Sequence, residues 1–133
     1  MEQSAVLSSQ TVTVRLSSVD HDRVQGTARL TATPTGGTMI VVQVQHLPPG
    51  ARVSSRLHAG TCAHLTRLSA SFARLPDLTA NAQGRATAQG PILFHGQRNE
   101  PVGLAVLGDG GHVIVLARGM RLVACGMIPR LTR

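Results

Sequence analysis

The sequence predicts an all-β protein, a sandwich or a barrel. Three observations carry this. Eight or nine short apolar or alternating segments run along the chain, with turn residues about every 8–14 positions. No stretch carries the pattern of a helix of ordinary length. The hydrophobic 42% is Val, Leu and Ala with two Phe and no Trp or Tyr, so the core must come from many small branched contacts.

Taken in order, Thr11 to Leu16 alternates polar and apolar residues, the two-residue period of a half-buried strand. Val19-Asp20-His21-Asp22-Arg23 is a polar break. Val24 to Thr33 resumes the alternation, with Val24, Ala28, Leu30 and Ala32 on one face. After the turn Pro34-Thr35-Gly36-Gly37, Thr38 to Leu47 is the longest β-branched run, with Ile40, Val42 and Val44 facing one way. Pro48-Pro49-Gly50 ends it, and three successive antiparallel strands are the economical reading. Ala51 to Leu57 is a fourth strand leading to a cysteine-bearing loop.

From Ala63 to Leu75 the pattern is loose, compatible with a helical turn at Leu65, Leu68 and Phe72 or with an ordered loop. Leu75-Pro76-Asp77-Leu78 is a tight corner. Thr79 to Ala88 reads as a strand with Asn81-Ala82-Gln83-Gly84 as a turn within or beside it. Pro91 to Phe94 is a short apolar piece, and Gln97 to Pro101 a polar loop. Val102–Leu107 and His112–Ala117 flank Gly108-Asp109-Gly110-Gly111, which reads as a hairpin. Arg121 to Ile128 is the last strand.

A length of 133 residues predicts a single domain over residues 1–133, long enough for a real core. No apolar run reaches the length of a membrane-spanning helix. The start, Met1 to Val6, has neither the basic region nor the apolar run of a signal peptide. Net charge is +7, and all 13 basic residues are Arg, spread along the chain without interleaved aromatics. That pattern argues against nucleic-acid binding and fits only unspecific attraction to acidic surfaces. No Gly-x-Ser-x-Gly is present, and no two of the six acidic residues stand where acid–base chemistry would be evident. The Gly108–Gly111 run lacks the lysine of a phosphate loop. His21, His46, His95 and His112 lie at strand ends or turns and read as surface residues. Cys62 and Cys125 are the only cysteines, either bridged or two separate buried thiols.

Gly26-Thr27-Ala28, Leu47-Pro48-Pro49-Gly50, His58-Ala59-Gly60-Thr61-Cys62, Leu75 through Ala86, and Ala124-Cys125-Gly126-Met127-Ile128 occur in the order and rough spacing of copper/zinc superoxide dismutases. The chain resembles that family over about residues 10–128. A chordin-type domain resembles the first half also, but the C-terminal Cys125 segment favours the dismutase relatives. The resemblance implies an eight-stranded Greek-key β-sandwich, or flattened barrel, and a Cys62–Cys125 disulfide. A persisting disulfide implies a secreted, periplasmic or cell-surface protein.

The family's metal ligands carry over poorly. Its His-x-His copper pair on the fourth strand reads Arg56-Leu57-His58 here, a permanent cation in place of the first imidazole. Its bridging and zinc histidines should fall between Cys62 and Asp77, where only His64 is found, and Arg74 stands where a zinc histidine belongs. Asp77 matches the zinc carboxylate. The last copper histidine should follow Val113-Ile114-Val115, where Leu116 and Ala117 stand. The channel arginine corresponds to Leu122; Arg121 is one step earlier, on the opposite face of a strand unless a bulge intervenes. The expectation is a non-enzymatic, metal-free module with a structural or protein-interaction role, as a homo-oligomer or part of an extracellular assembly. The alternative is a zinc or copper protein using His58, His64 and Asp77, two imidazoles and one carboxylate.

Overall fold

The computed structural model describes residues 10–19, 23–64, 73–94, 100–108 and 110–131. Its first three strands follow the alternation in the sequence. Strand β1 (Thr11–Ser18) turns Val12, Val14 and Leu16 inward; β2 (Gln25–Ala32) turns Ala28 and Leu30 inward; β3 (Thr38–Gln45) buries Ile40, Val42 and Val44. On β1 and β2 threonine, serine, arginine and glutamine occupy the alternate positions, giving one wet and one dry face; on β3 the outward face carries Met39 and Val41 as well as Gln43 and Gln45. These strands pair antiparallel in unbroken register, Val14 opposite Ala28 and Ala28 opposite Val42.

Strand β4 (Arg52–Ala59) then crosses to the other side of the molecule. A single 3-10 turn (Cys62–His64) follows it. Two short pieces, β5 (Ala73–Arg74) and β6 (Leu78–Thr79), pair with different ends of β4. Strand β7 (Ala86–Pro91) returns to lie beside β3. Then come β8 (Leu93–Phe94), one helical turn α1 (Leu104–Leu107), β9 (His112–Arg118) and β10 (Arg121–Met127). The strand order is β7-β3-β2-β1-β10-β9-β4-β5-β8, with β6 also on β4. The chain from Leu78 to Ala86 leads from β6, on β4, to β7, at the far end of that order. The sheet therefore curls around one core as a flattened barrel. Eight strands follow the Greek-key plan: three neighbours in sequence, a long crossing, and a return beside the first group. Strands β5 and β8 are two-residue additions beyond β4.

The core is aliphatic, with Leu16, Leu30, Ile40, Leu57, Ile92, Ile114, Leu116 and Ile128 almost fully buried. Each such side chain contributes roughly 1.5–3 kcal/mol on burial. Two glycines are demanded by this packing. A Cβ on Gly126 would run into the Arg15 carbonyl and the Val14 and Leu16 side chains of β1. Gly84 has φ +77° and lies on the Leu47 backbone, so it suits the turn from Asn81 in both conformation and size.

Four expectations are corrected. Val102–Leu107 is not a strand: Leu104 and Leu107, three apart, are both buried while Ala105 and Val106 are exposed, which is helical spacing. Gly108 consequently turns no hairpin. Its amide caps Leu104, and its carbonyl accepts from Leu131, whose side chain fills the space where a Cβ would be. The hairpin lies between β9 and β10, closed by Arg118 opposite Arg121 around Gly119-Met120. Gly119, at φ +62°, supplies the first turn position of the two-residue loops that match strand twist. Strand β4 runs two residues past Leu57. Finally, His112 is buried at the start of β9, because Val113 to Ala117 is covered on both faces and the strand enters from within. The expected helical turn at Leu65, Leu68 and Phe72, the loop from Gln97, His21 and His95 lie outside the described residues.

Candidate functional site

Strand β4 decides what the outside of the barrel can do. Val53, Ser55 and Leu57 face the core, so Ser54, Arg56 and His58 share the opposite face. In register with them on β9 are Ala117, Val115 and Val113. Val113, Val115 and Cys125 form a second, small apolar cluster outside the barrel core, joined by Val19, Cys62 and Leu122. His58, opposite Val113, is 3% exposed. The two β4 positions the resemblance assigns to copper therefore share a face, but they hold an arginine and a buried imidazole opposite two valines of β9, while Leu116, where the last copper histidine is sought, turns into the barrel core.

The disulfide is present: Cys62 in the 3-10 turn is joined to Cys125 on β10, with Cα atoms 6.0 Å apart. It fastens the loop after β4 to the last strand at the edge of this cluster. The Gly60 amide donates to the Gly111 carbonyl at 2.8 Å and holds the same loop from the other side.

Asp77 is drawn elsewhere. It lies in the corner before β6 with its side chain 75% exposed, and Arg56 reaches it at 3.5 Å. The same Arg56 nitrogen donates to the Ser55 carbonyl at 2.9 Å. Arg74 is the cross-strand partner of Arg56, so two arginines stand in register where imidazoles are expected. The described part of His64 is its backbone, in the 3-10 turn. Among the described residues no three His, Cys, Asp or Glu side chains gather as a metal site.

The bulge left open by the sequence does exist. Pairing between β9 and β10 slips between Leu122 and Ala124. Val123 and Ala124 thus both enter the barrel core, and Leu122 joins the disulfide cluster. The position matching the channel arginine is accordingly on the right face, and a leucine fills it. Arg121 instead lines a cavity at the end of the barrel.

That cavity escaped sequence reasoning. It has a volume of about 520 Å³ and is lined by Arg23, Val24, His46, Leu47, Pro48, Arg118, Arg121 and Val123. Its signal in the sequence was Arg118-Gly119-Met120-Arg121, two arginines bracketing a two-residue turn and so bound to face one another. A neighbouring cleft of about 750 Å³ shares Arg23, Val24 and His46 and adds Arg15, Ser17, Ser18, Gln25 and Gln45. His46 is the non-glycine residue with a positive φ, 70°, among the described residues.

No protein-family model matches the chain, and no curated protein matches it in sequence. Solved structures do. A copper/zinc superoxide dismutase from Brucella abortus is 16% identical, with a TM-score of 0.61 over 90% of this chain and 99% of that one. A SOD-like protein from Bacillus subtilis is 16% identical, with a TM-score of 0.60 over 87% of this chain and 97% of that one. A variant of a SOD-like protein from that organism, carrying two substitutions to histidine, is 17% identical, with a TM-score of 0.60 over 88% and 96%. The fold is thus that of the copper/zinc superoxide dismutases and of SOD-like proteins.

Proposed function

We propose that this chain is a superoxide dismutase-like sandwich working without the dismutase chemistry, as a structural or protein-interaction module in an oxidising compartment. One observation carries the reading: Arg56, at the position of the first copper imidazole, forms an ion pair with Asp77, at the position of the zinc carboxylate. A fixed guanidinium charge there opposes a divalent cation twice, by repulsion and by engaging the carboxylate. Arg74 adds to the repulsion from the next strand. What is kept is framework, namely the curled sheet, the disulfide and the close approach at Gly126. Selection on framework alone fits a protein whose surface is the working part. A second copy of the chain is the first partner to test, and the proposed setting is secreted, periplasmic or cell-surface because a disulfide persists there.

The test is to put the histidine back. Arg56→His recreates a His-x-His pair with both imidazoles on one face of β4. Copper(II) titration should show a gain of at least about tenfold in affinity over the parent. The parent should bind less than stoichiometric copper or zinc and show no superoxide-dismutating activity after metal loading. Tight stoichiometric copper or zinc binding by the parent, lost in His58→Ala, would overturn the reading in favour of a metal protein. Light scattering on the purified chain decides the assembly: a strict monomer at all concentrations removes self-association.

A further inference from the structure

Strand β7 stands at one end of the strand order. It pairs with β3 on one side, while β6, its neighbour along the chain, pairs with β4 instead. The other end of the order is only the two-residue β8. The ladder fixes where the β7 backbone groups point. The Ile92 amide donates to the Thr38 carbonyl at 2.9 Å, and Met39 stands opposite Pro91. Bonding alternates along an antiparallel pair, so Gly90, Ala88 and Ala86 turn their amides and carbonyls toward β3, and Thr87 and Gln89 turn theirs away. Those outward groups have no partner among the described residues, and both residues are exposed.

Charge sets this edge apart. Among the strands longer than two residues, β1, β2, β4, β9 and β10 each carry arginine, whereas β3 and β7 carry no charged residue. Sheet edges that stay single are commonly guarded by charge. In a chain of net charge +7, the open edge and the strand behind it are the uncharged ones, so two copies can meet there without repulsion along the seam. Met39, 37% exposed on the outward face of β3 opposite Pro91, adds apolar surface beside the edge.

We propose that β7 pairs antiparallel with β7 of a second copy of this chain, about a twofold axis at Ala88, joining two barrels through one continuous sheet. This rests on the reading above that a second copy is the first partner, and it names the surface. With Ala88 opposite Ala88, Thr87 of one copy faces Gln89 of the other, and each such pair exchanges two N–H···O bonds. The chain itself limits the pairing to this register. The next pair outward would be Pro91 with Arg85, but Pro91 has no amide hydrogen, and the Arg85 amide and carbonyl are both bonded to Asn81. A contact of one surface with itself closes at two copies. A seam this short makes a weak, reversible dimer.

The experiment uses the whole chain with its disulfide intact. Sedimentation velocity from about 10 μM to about 1 mM, the range of a weak dimer, is paired with amide hydrogen exchange followed by NMR. A monomer–dimer equilibrium is expected, with the Thr87 and Gln89 amides exchanging more slowly as concentration rises. Gln89→Pro removes an outward-facing donor and leaves the β3 ladder whole, a change that an edge strand tolerates. It should weaken dimerisation about tenfold or more, since one bond is lost on each side of the axis. Thr87→Arg places a guanidinium on the seam in each copy; it should weaken the dimer comparably and carries the test should the proline variant fold poorly. Thr13→Arg adds the same charge at an exposed position of β1 and should leave the dimer intact. A dimer that survives both β7 variants overturns the proposal and places self-association on another face. A chain monomeric throughout overturns the proposal and self-association together, but not the loss of dismutase chemistry, which the copper titration tests separately. Slow exchange at Thr87 and Gln89 that does not change with concentration would put another segment of the same chain on the edge and overturns the proposal as well.

Discussion

Ser55 shows how much one residue's surroundings can be at odds with its chemistry. It is fully buried on the inner face of β4 between Val53 and Leu57, and its hydroxyl has no hydrogen-bond partner among the described residues. A buried, unsatisfied hydroxyl costs about 1–3 kcal/mol. Ser55→Ala removes that cost and only one atom of packing. The variant should be as stable as the parent or up to about 1 kcal/mol more stable, read as a higher urea midpoint at unchanged slope. A clear loss of stability would show that the hydroxyl is bonded after all. Thr38 is the contrasting case: equally buried, it donates to the Val102 carbonyl at 2.7 Å and has reason to be polar. The Arg56–Asp77 pair lies at the other extreme, for with side chains 30% and 75% exposed its worth to stability is at most about 1 kcal/mol. On the reading proposed above, its importance is in the cation it keeps out.

Among the elements, β10 is the most constrained. It lies between β1 and β9, carries one half of the disulfide, absorbs a bulge at Val123, and at Gly126 admits no side chain. Gly126→Ala must push β1 aside and should destabilise by about 1–3 kcal/mol, measured by denaturant unfolding. A smaller effect would mean that the two strands can separate without loss. The strands themselves were legible where one face is wet. Val12-Val14-Leu16 shows a dry face against threonine and arginine, and Val42-Val44 one against Gln43 and Gln45. Legibility failed where that contrast disappears. The sequence reads the fourth strand as ending at Leu57, yet β4 continues through His58 because Val113 and Val115 give it an apolar outer surface to lie against. Gly108 to Gly111 has the composition of a hairpin, but the leucines at 104 and 107 are spaced for a helix and won the segment. The cation cavity was illegible for a different reason. Arg23 and His46 meet the hairpin arginines only through the curl of the sheet, which no local pattern records.

For the molecule as a whole, the disulfide is the main constraint beyond the core. It closes a loop with a sequence separation of 63 residues. Loop-closure entropy for that length amounts to about 4 kcal/mol, a large part of the stability expected of a domain this size. Reduction, or Cys62→Ser with Cys125→Ser, should therefore lower Tm by many degrees and leave a protein that unfolds at much lower denaturant. Unchanged unfolding on reduction would mean that the framework stands on packing alone. The arginine-only basic set and the +7 charge add a further whole-molecule property, a general pull toward acidic surfaces that salt should weaken.

The sulfur link also divides the polypeptide mechanically. Strands β1 to β4 precede Cys62, whereas β5 to β9 and most of β10 fall between the linked cysteines. When the two ends are drawn apart in a single-molecule pulling measurement, the segment from Cys62 to Cys125 is bypassed and bears no load. The extension released on rupture should fall short of the full contour by roughly 210 Å, at about 3.4 Å for each of the 63 bypassed residues. A reducing buffer should restore that missing length.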